Sequence, residues 1–183
     1  MTHQERQKEQ SREWIAEAFF NLLKKKKYES ITVSEIVKKA DLSRRTFYRA
    51  FENKQDIITY LLVRIFPDYI AALKRLPVKT REHLAVAIVD FVNQHLAFFQ
   101  CLKRNHLDHL LIDFFDKQLA AGRDEIWGGS FCDDEETERV FMMTISIEHY
   151  NVIRLWLELH DKKTPEEMAE LLSDALALFR HFQ

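Results

Sequence analysis

The chain has 183 residues, of which 46% are hydrophobic and 31% charged, so it is long and apolar enough to form one or two folded domains and is not a disordered chain. Only three glycines and three prolines are present, and this scarcity of turn residues argues against a many-stranded β-sandwich or barrel. Because the chain has no apolar run of membrane-spanning length, no apolar leader and only two cysteines, we expect a cytoplasmic protein with neither a membrane partner nor a disulfide framework.

The charge is unevenly distributed along the chain. Residues 1–54 contain 13 Lys/Arg and 8 Asp/Glu, a net charge of +5, whereas residues 55–183 contain 14 and 21, a net charge of −7. A basic N-terminal part followed by an acidic body indicates that only the N-terminal part meets a polyanion.

Four helices are predicted in the N-terminal part. The first ends in the run Lys24 to Lys27, where cations suit the negative end of the helix dipole. The second has Thr32 as its N-cap and Glu35 three residues later, the spacing of a capping box. Residues 41–43 break the pattern and open a third helix, and Asn53 can cap a fourth that reaches Pro67 or beyond.

The C-terminal part is also predicted to be helical. Thr80 caps a long central helix from Arg81 to about Leu102, which is apolar nearly all round. The elements that follow are a helix over 105–121, a loop over 122–134, a helix over 135–160 and a last helix that opens at Thr164-Pro165. This last helix carries an apolar seam on a 3-4 spacing: Met168, Leu171, Leu172, Ala175, Leu178, Phe179 and Phe182. With the surplus apolar positions of helix 135–160, the seam predicts a homodimer that pairs four helices.

The second and third helices, joined by a three-residue turn, form a helix-turn-helix whose second helix can enter a major groove of DNA. At about 100° per residue, one arc of this helix is polar and the opposite arc is suited to packing. The polar arc carries Arg44, Arg45, Tyr48 and Arg49, and the packing arc carries Thr46, Phe47, Ala50 and Phe51. Arginine can bond guanine edges or phosphates, and tyrosine can bond phosphates or stack on bases. The alternative is a short surface helix whose arginines only keep it in solution.

Residues 31–58 resemble the DNA-binding domain of TetR-family transcriptional regulators, and the resemblance extends over about residues 10–62. Thr32 opens the second helix, Ser43 opens the third and Lys54 stands at the start of the fourth. The other matching positions are Ala40 before the turn, Phe47-Tyr48 within the third helix and Phe51 after it. The chain also resembles, more loosely, the branch of the family that includes regulators associated with dihydroxyacetone kinase.

The resemblance implies an all-α homodimer with an N-terminal three-helix helix-turn-helix domain over 1–54 and a C-terminal ligand-binding and dimerisation domain over 55–183. It implies that Thr32, Ser43 and Lys54 bond phosphate, and that the groove-facing residues are Arg44, Arg45, Tyr48 and Arg49. The chain departs from the family pattern twice. Asp41 stands where glycine is usual, although aspartate tolerates a left-handed backbone. Arg45 stands where a small residue is common, so it can read a base or change the docking angle.

Enzymatic and metal chemistry find little support in the sequence. No nucleophile elbow or glycine-rich phosphate loop surrounds any serine, so we do not expect an enzyme. His106, His109 and Asp113 have a spacing that could place metal ligands on one side of a helix. Because no second ligand cluster accompanies them, we interpret them as exposed polar residues and predict no metal or cofactor.

Aromatic and methionine side chains of the C-terminal part could line an apolar effector cavity, with His95 as a polar contact. Most of them must form the core instead, because a body of this size needs one. We expect any cavity between the fourth helix, helix 81–102 and helix 135–160. The candidate lining residues are Tyr69, Phe91, Phe98, Phe99, Phe114, Phe115, Phe141, Met142 and Trp156.

The functional prediction is a DNA-binding transcriptional regulator, a repressor that a small-molecule effector releases from a double-stranded operator. The alternative is a TetR-fold interaction subunit or co-activator, which works through another regulatory protein and binds that protein in place of a ligand.

Overall fold

The computed structural model describes residues 2–76, 80–122 and 133–177 of the chain. Every regular element in these ranges is helical, and the predicted all-α fold class is confirmed. In chain order the helices are α1 (His3–Leu23), α2 (Val33–Lys39), α3 (Arg44–Ala50), α4 (Lys54–Arg75), α5 (Arg81–Gln94), α6 (Leu96–Arg104), α7 (Leu110–Ala121), α8 (Glu135–Leu159) and α9 (Pro165–Ala177), with a 3₁₀ turn at Tyr28–Ser30.

The contacts between residues divide the chain into two compact units, residues 1–65 and residues 66–183. The helix α4 contributes its first part to the N-terminal unit and its remainder to the C-terminal unit. In the N-terminal unit, α1 packs against α2 and α3, and these two short helices also pack against each other. Phe19 of α1, Ile36 of α2 and Phe47 of α3 are fully buried in the resulting core.

The turn between α2 and α3 has the geometry of a helix-turn-helix. Asp41 adopts φ 54°, the left-handed conformation that aspartate tolerates where glycine is usual. The N–H of Leu42 donates to the Val37 carbonyl at 2.9 Å, which closes the end of α2. Ser43 Oγ accepts the N–H of Thr46 at 3.1 Å, so α3 begins directly after the predicted cap.

In the C-terminal unit, α8 packs against α5 and α7, and α5 also packs against α9. The helix α4 runs past Pro67 to Arg75 and buries aromatic side chains in this unit. Among the described residues, no single helix is long and apolar enough to cross a membrane, and only the bent pair α5 and α6 has the length and composition to do so.

The prediction of one helix from Arg81 to about Leu102 is wrong. The helix α5 ends at Gln94, and α6 leaves it at an angle of 88°. His95, with φ −122° and ψ 27°, separates the two helices, and its N–H closes back on the Val92 carbonyl at 3.1 Å. Residues 81–102 are apolar on nearly all sides because both α5 and α6 are covered by other helices on several sides. Such a pattern does not reveal where a buried helix bends.

The predicted helix over 105–121 begins at Leu110 instead, five residues later than expected. His106 adopts φ 56°, and Leu107 N–H donates to the Leu102 carbonyl at 2.9 Å, which is the left-handed cap of a Schellman motif at the end of α6. A histidine in place of the usual glycine hides this cap from sequence analysis. His106 therefore lies outside the helix that carries Asp113, and their spacing does not place them on one helix face.

The seam of the last helix divides between the core and the surface. Met168 is fully buried, Leu172 is half-buried, and Leu171 and Ala175 are exposed. Part of the seam therefore closes the unit's own core against α5, and part of it faces outward. Leu178, Phe179 and Phe182, and residues 123–132 of the predicted loop, lie outside the described residues.

Candidate nucleic-acid interface

The helix α3 is held in place by aromatic side chains on its inner face. Phe47 is fully buried and Phe51 is 4% exposed. Their ring centroids are 6.2 Å apart, and the Phe51 ring lies 5.6 Å from the ring of Tyr60 on α4. These contacts fix which side of α3 faces outward.

The outward side of α3 carries the predicted polar arc, with Arg44, Arg45, Tyr48 and Arg49 all exposed. Tyr48 is 54% exposed, and its ring stands edge-on against Phe47 at 5.3 Å. Within the described part of the chain, no carboxylate pairs with the three guanidinium groups. This face therefore presents three uncompensated positive charges and a phenol to solvent.

Thr32 and Ser43 are exposed, and both side chains cap helices. Thr32 Oγ1 accepts the Glu35 N–H at 3.2 Å, while the Glu35 carboxylate accepts the Thr32 N–H at 2.9 Å, so the predicted capping box is present. Lys26 Nζ also donates to Glu35 Oε1 in an ion pair. These bonds from Lys26 and Thr32 lower the pKa of Glu35 to about 2. Lys26, within the run Lys24 to Lys27, thus lies beside the start of α2.

Lys54 is engaged inside the protein. Its Nζ donates to the carbonyl oxygens of Tyr28 at 2.8 Å and Ile31 at 2.7 Å, and lies 4.3 Å from the centroid of the Tyr28 ring. Partial burial lowers the pKa of this ammonium group. Two of its three N–H groups are therefore used to tie the segment before α2 to the start of α4. At most one N–H remains for a phosphate.

A cluster of α1 and α4 side chains that the sequence did not indicate supports α3 from behind. The Arg12 guanidinium lies 4.5 Å from the ring centroid of Tyr60 and 5.2 Å from that of Phe51. Tyr60 Oη donates to Glu9 Oε1 at 2.7 Å, and its desolvation together with this bond raises the pKa of Tyr60 to about 12. No sequence pattern marks the cluster, because it joins residues about fifty positions apart.

Three of the candidate effector residues meet in the C-terminal unit. Tyr69, Phe91 and Phe99 are almost completely buried, and the ring of Phe91 lies 5.5 Å from Tyr69 and 5.4 Å from Phe99. His95 is half-buried, with its ring 5.5 Å from Phe91 and its Nε2 2.8 Å from Asp68 Oδ2. These residues form a packed aromatic cluster at the bend between α5 and α6.

The other candidates lie around this cluster or outside it. Phe114 contacts Phe66 with ring centroids 5.4 Å apart. Met142 and Trp156 are buried on α8, and Trp156 Nε1 donates to Asn93 Oδ1 at 2.8 Å. Phe98 and Phe115 are buried, whereas Phe141 is 42% exposed. Among the described residues, no group of three or more His, Cys, Asp or Glu side chains could hold a metal ion.

Tyr69 of this cluster belongs to a buried polar pair that the sequence did not indicate. His149 of α8 is 2% exposed, and its Nδ1 bonds the Ile145 carbonyl at 2.7 Å. Because a carbonyl can only accept, Nδ1 carries the proton, and Tyr69 Oη donates to Nε2 of the neutral ring. Burial lowers the pKa of His149 to about 4 and raises that of Tyr69. The sequence did contain a sign of this buried histidine, because His149 falls on the same apolar face of the helix as Met142, Ile145, Val152 and Trp156.

Comparison with known proteins agrees with this geometry. The family model described as "Bacterial regulatory proteins, tetR family" matches residues 15–61, a range that contains α2 and α3 with parts of α1 and α4. The HTH-type dhaKLM operon transcriptional activator DhaS of Lactococcus lactis subsp. lactis (strain IL1403) is 34% identical over 56 residues. That match spans 31% of this chain and 30% of DhaS.

Two solved structures share the fold along nearly the whole chain. Lin0861 from Listeria innocua superposes with a TM-score of 0.75 at 16% identity, over 98% of this chain and 94% of that one. NalD, the secondary repressor of the MexAB-OprM multidrug efflux pump in Pseudomonas aeruginosa, superposes with a TM-score of 0.55 at 19% identity, over 94% and 96%. At these identities the likeness is one of fold.

The relationship to DhaS confirms the looser resemblance to regulators associated with dihydroxyacetone kinase. The matched family consists of regulatory proteins, DhaS is a transcriptional activator and NalD is a repressor, so these relatives are regulators and not enzymes. The helix-turn-helix, the family match that spans it and the shared fold agree with one another, and residues 15–61 form a DNA-binding domain of the TetR type.

Proposed function

We propose that this protein acts in the cytoplasm as a homodimeric repressor, which binds a double-stranded operator through α3 and leaves it when a small molecule binds the C-terminal unit. The observation that carries the proposal is the division of α3 into an aromatic inner face and an outer face that exposes three guanidinium groups. A protein bound to promoter DNA can repress transcription simply because it blocks the access of RNA polymerase to the promoter. Repression therefore needs no contact with a second regulatory protein.

The effector would act on the helix that both units share. Tyr69 belongs to α4, which begins at Lys54 in the DNA-binding unit, and its hydroxyl is committed to His149. A ligand that takes over this hydrogen bond would displace α4. Effector binding then favours a conformation in which the two α3 helices no longer fit successive major grooves, about 34 Å apart.

Exposed apolar side chains on α8 and α9 support the dimer. Val140, Met143 and Ile147 follow a 3-4 spacing on α8 and are 55%, 47% and 47% exposed, and Leu171 of α9 is 44% exposed. An isologous four-helix interface through these helices would cover them. Such an interface should bury on the order of 2,000 Å² in total.

Ile147→Glu is expected to give a monomer, because a carboxylate at the interface would be buried without a partner. Sedimentation of the wild type at micromolar concentration should show a dimer, and the variant should also lose operator binding, since one half-site does not hold it. Ala120→Glu on the exposed side of α7 is the matched control and should remain dimeric. A wild type that sediments as a monomer would contradict both the dimer and the two-groove mechanism.

Operator binding is tested by an electrophoretic mobility shift with the purified protein and the DNA upstream of its own gene. The double substitution Arg45→Ala/Arg49→Ala should weaken binding by roughly 1–3 kcal/mol for each residue that contacts a base. The control Lys162→Ala/Lys163→Ala removes the same charge from the segment between α8 and α9 and should bind normally. Unchanged binding by the Arg45/Arg49 variant would overturn the assignment of α3.

A second candidate function, an interaction subunit or co-activator, is favoured by one observation on α1. Trp14 is 48% exposed and lines two surface depressions of about 480 and 410 Å³, each of which also includes Glu17. Exposed tryptophan is enriched at the centres of protein interfaces. An interaction subunit would need a second protein to shift DNA, and Trp14→Ala would abolish that shift. A self-sufficient repressor shifts DNA alone and tolerates this substitution.

A further inference from the structure

We propose that each operator half-site carries two guanines about two base-pair steps apart on one strand, read by Arg45 and Arg49. The inference rests on the proposed function, because it requires α3 to lie in the major groove. It assigns these two arginines to bases, and Arg44 and Tyr48 to the sugar-phosphate backbone.

The orientation of α3 selects these two arginines from the four exposed polar residues. At about 100° per residue, the buried Phe47 lies opposite the row formed by Arg45 and Arg49. Arg44 and Tyr48 form a second row to one side. Arg45 and Arg49 therefore project furthest from the core, towards the floor of a groove that receives α3. The lateral row points towards the groove wall, where the phosphates lie.

The spacing along the helix sets the spacing of the bases. Arg45 and Arg49 are four residues apart, which corresponds to a rise of about 6 Å in an α-helix. Two base-pair steps of B-form DNA rise by about 6.8 Å. With α3 aligned along the duplex axis, the two guanidinium groups can therefore engage alternate base pairs of the same strand.

The side-chain chemistry selects guanine. Guanine presents two acceptors, O6 and N7, to the fork of one guanidinium group in the major groove. Residues 44–50 include no Asn, Gln, Asp or Glu that could read adenine or cytosine. The hydroxyl of Thr46 is half-buried and lies 2.9 Å from Ser43 Oγ, so it is engaged within the helix start. Hydrogen-bonded base recognition by this helix thus depends on arginine.

The experiment is selection from a random duplex library with the full-length protein. The wild type should enrich half-sites with two guanines separated by one base pair. Arg45→Ala should lose the preference at one guanine and Arg49→Ala at the other, each with a roughly 5- to 100-fold loss of affinity for the selected site. Arg44→Ala should weaken all sequences alike, because its proposed contact is to phosphate.

Lysine substitutions distinguish base recognition from phosphate binding. Arg45→Lys and Arg49→Lys keep the charge but lose the bidentate fork, so the guanine preference should fall while non-specific binding persists. If both lysine variants enrich the wild-type sites, the arginines grip phosphates and the inference is wrong. Enriched sites without the guanine pair would also overturn it and leave operator binding intact. No enrichment of any sequence would instead overturn the proposed function.

Discussion

Phe47→Ala is expected to destabilise the N-terminal unit by about 3–5 kcal/mol, the usual cost when a fully buried phenylalanine is truncated. Phe47 is 0% exposed and contacts the rings of Tyr48 and Phe51 at 5.3 and 6.2 Å. The substitution leaves a cavity beneath α3, which has only seven residues and depends on this contact for its position. Urea unfolding of the full chain should show the loss.

The neighbouring residue supplies a matched control. Tyr48 is 54% exposed, so Tyr48→Ala should change the free energy of unfolding by no more than about 0.5 kcal/mol. The two variants should therefore weaken DNA binding for different reasons. Phe47→Ala lowers the fraction of protein with a folded N-terminal unit, whereas Tyr48→Ala removes a contact from a folded one. An unfolding midpoint of Phe47→Ala equal to that of the wild type would show that α3 is not anchored through this ring.

Acid should destabilise the C-terminal unit through His149. The ordinary pKa of histidine is 6.5, and burial lowers that of His149 to about 4 in the folded protein. Between these values the unfolded chain binds the proton and the folded chain does not, so stability falls as the pH decreases from about 6.5 to 4. The full loss from this group is about 3 kcal/mol, at 1.36 kcal/mol for each unit of pKa.

Urea unfolding at pH 7 and at pH 4.5 should reveal this loss, and His149→Gln should remove it. The variant keeps a side chain that can bond Tyr69 but does not titrate. Tyr69→Phe removes the hydroxyl that bonds Nε2 and keeps the buried histidine, so it should lower stability at pH 7 and retain a dependence on acid. If wild type and His149→Gln lose equal stability between the two pH values, protonation of other groups accounts for the effect.

The sequence determined most of the N-terminal unit, because the features that build it are local. Thr32 and Ser43 each cap a helix by bonding a residue three positions later. Asp41 adopts the left-handed backbone conformation of the turn, which depends on its own side chain and its immediate neighbours. The alternation of polar and aromatic residues on α3 likewise follows from helical periodicity over one short segment. The residues that carry the family resemblance therefore lie in one contiguous segment, 31–58, and could be recognised from the sequence.

Only the tertiary structure decided how Lys54 is used. The family resemblance places Lys54 at the start of the fourth helix and implies that it bonds phosphate. In the folded chain it reaches the carbonyl groups of Tyr28 and Ile31, more than twenty positions earlier. The same holds for Arg12, whose stacking on Tyr60 joins two helices that are distant in the sequence.

The sequence predicted that the C-terminal unit is helical, but it did not predict where its helices bend or which of them pack together. Apolar residues on all sides of 81–102 are compatible both with one buried helix and with two helices bent at His95 by 88°. The pairing of Tyr69 with His149 links residues 80 positions apart. Helical periodicity reports which side of a segment is buried, because it depends on neighbours along the chain. It does not report which other segment covers that side, because that choice depends on the packing of all the helices together.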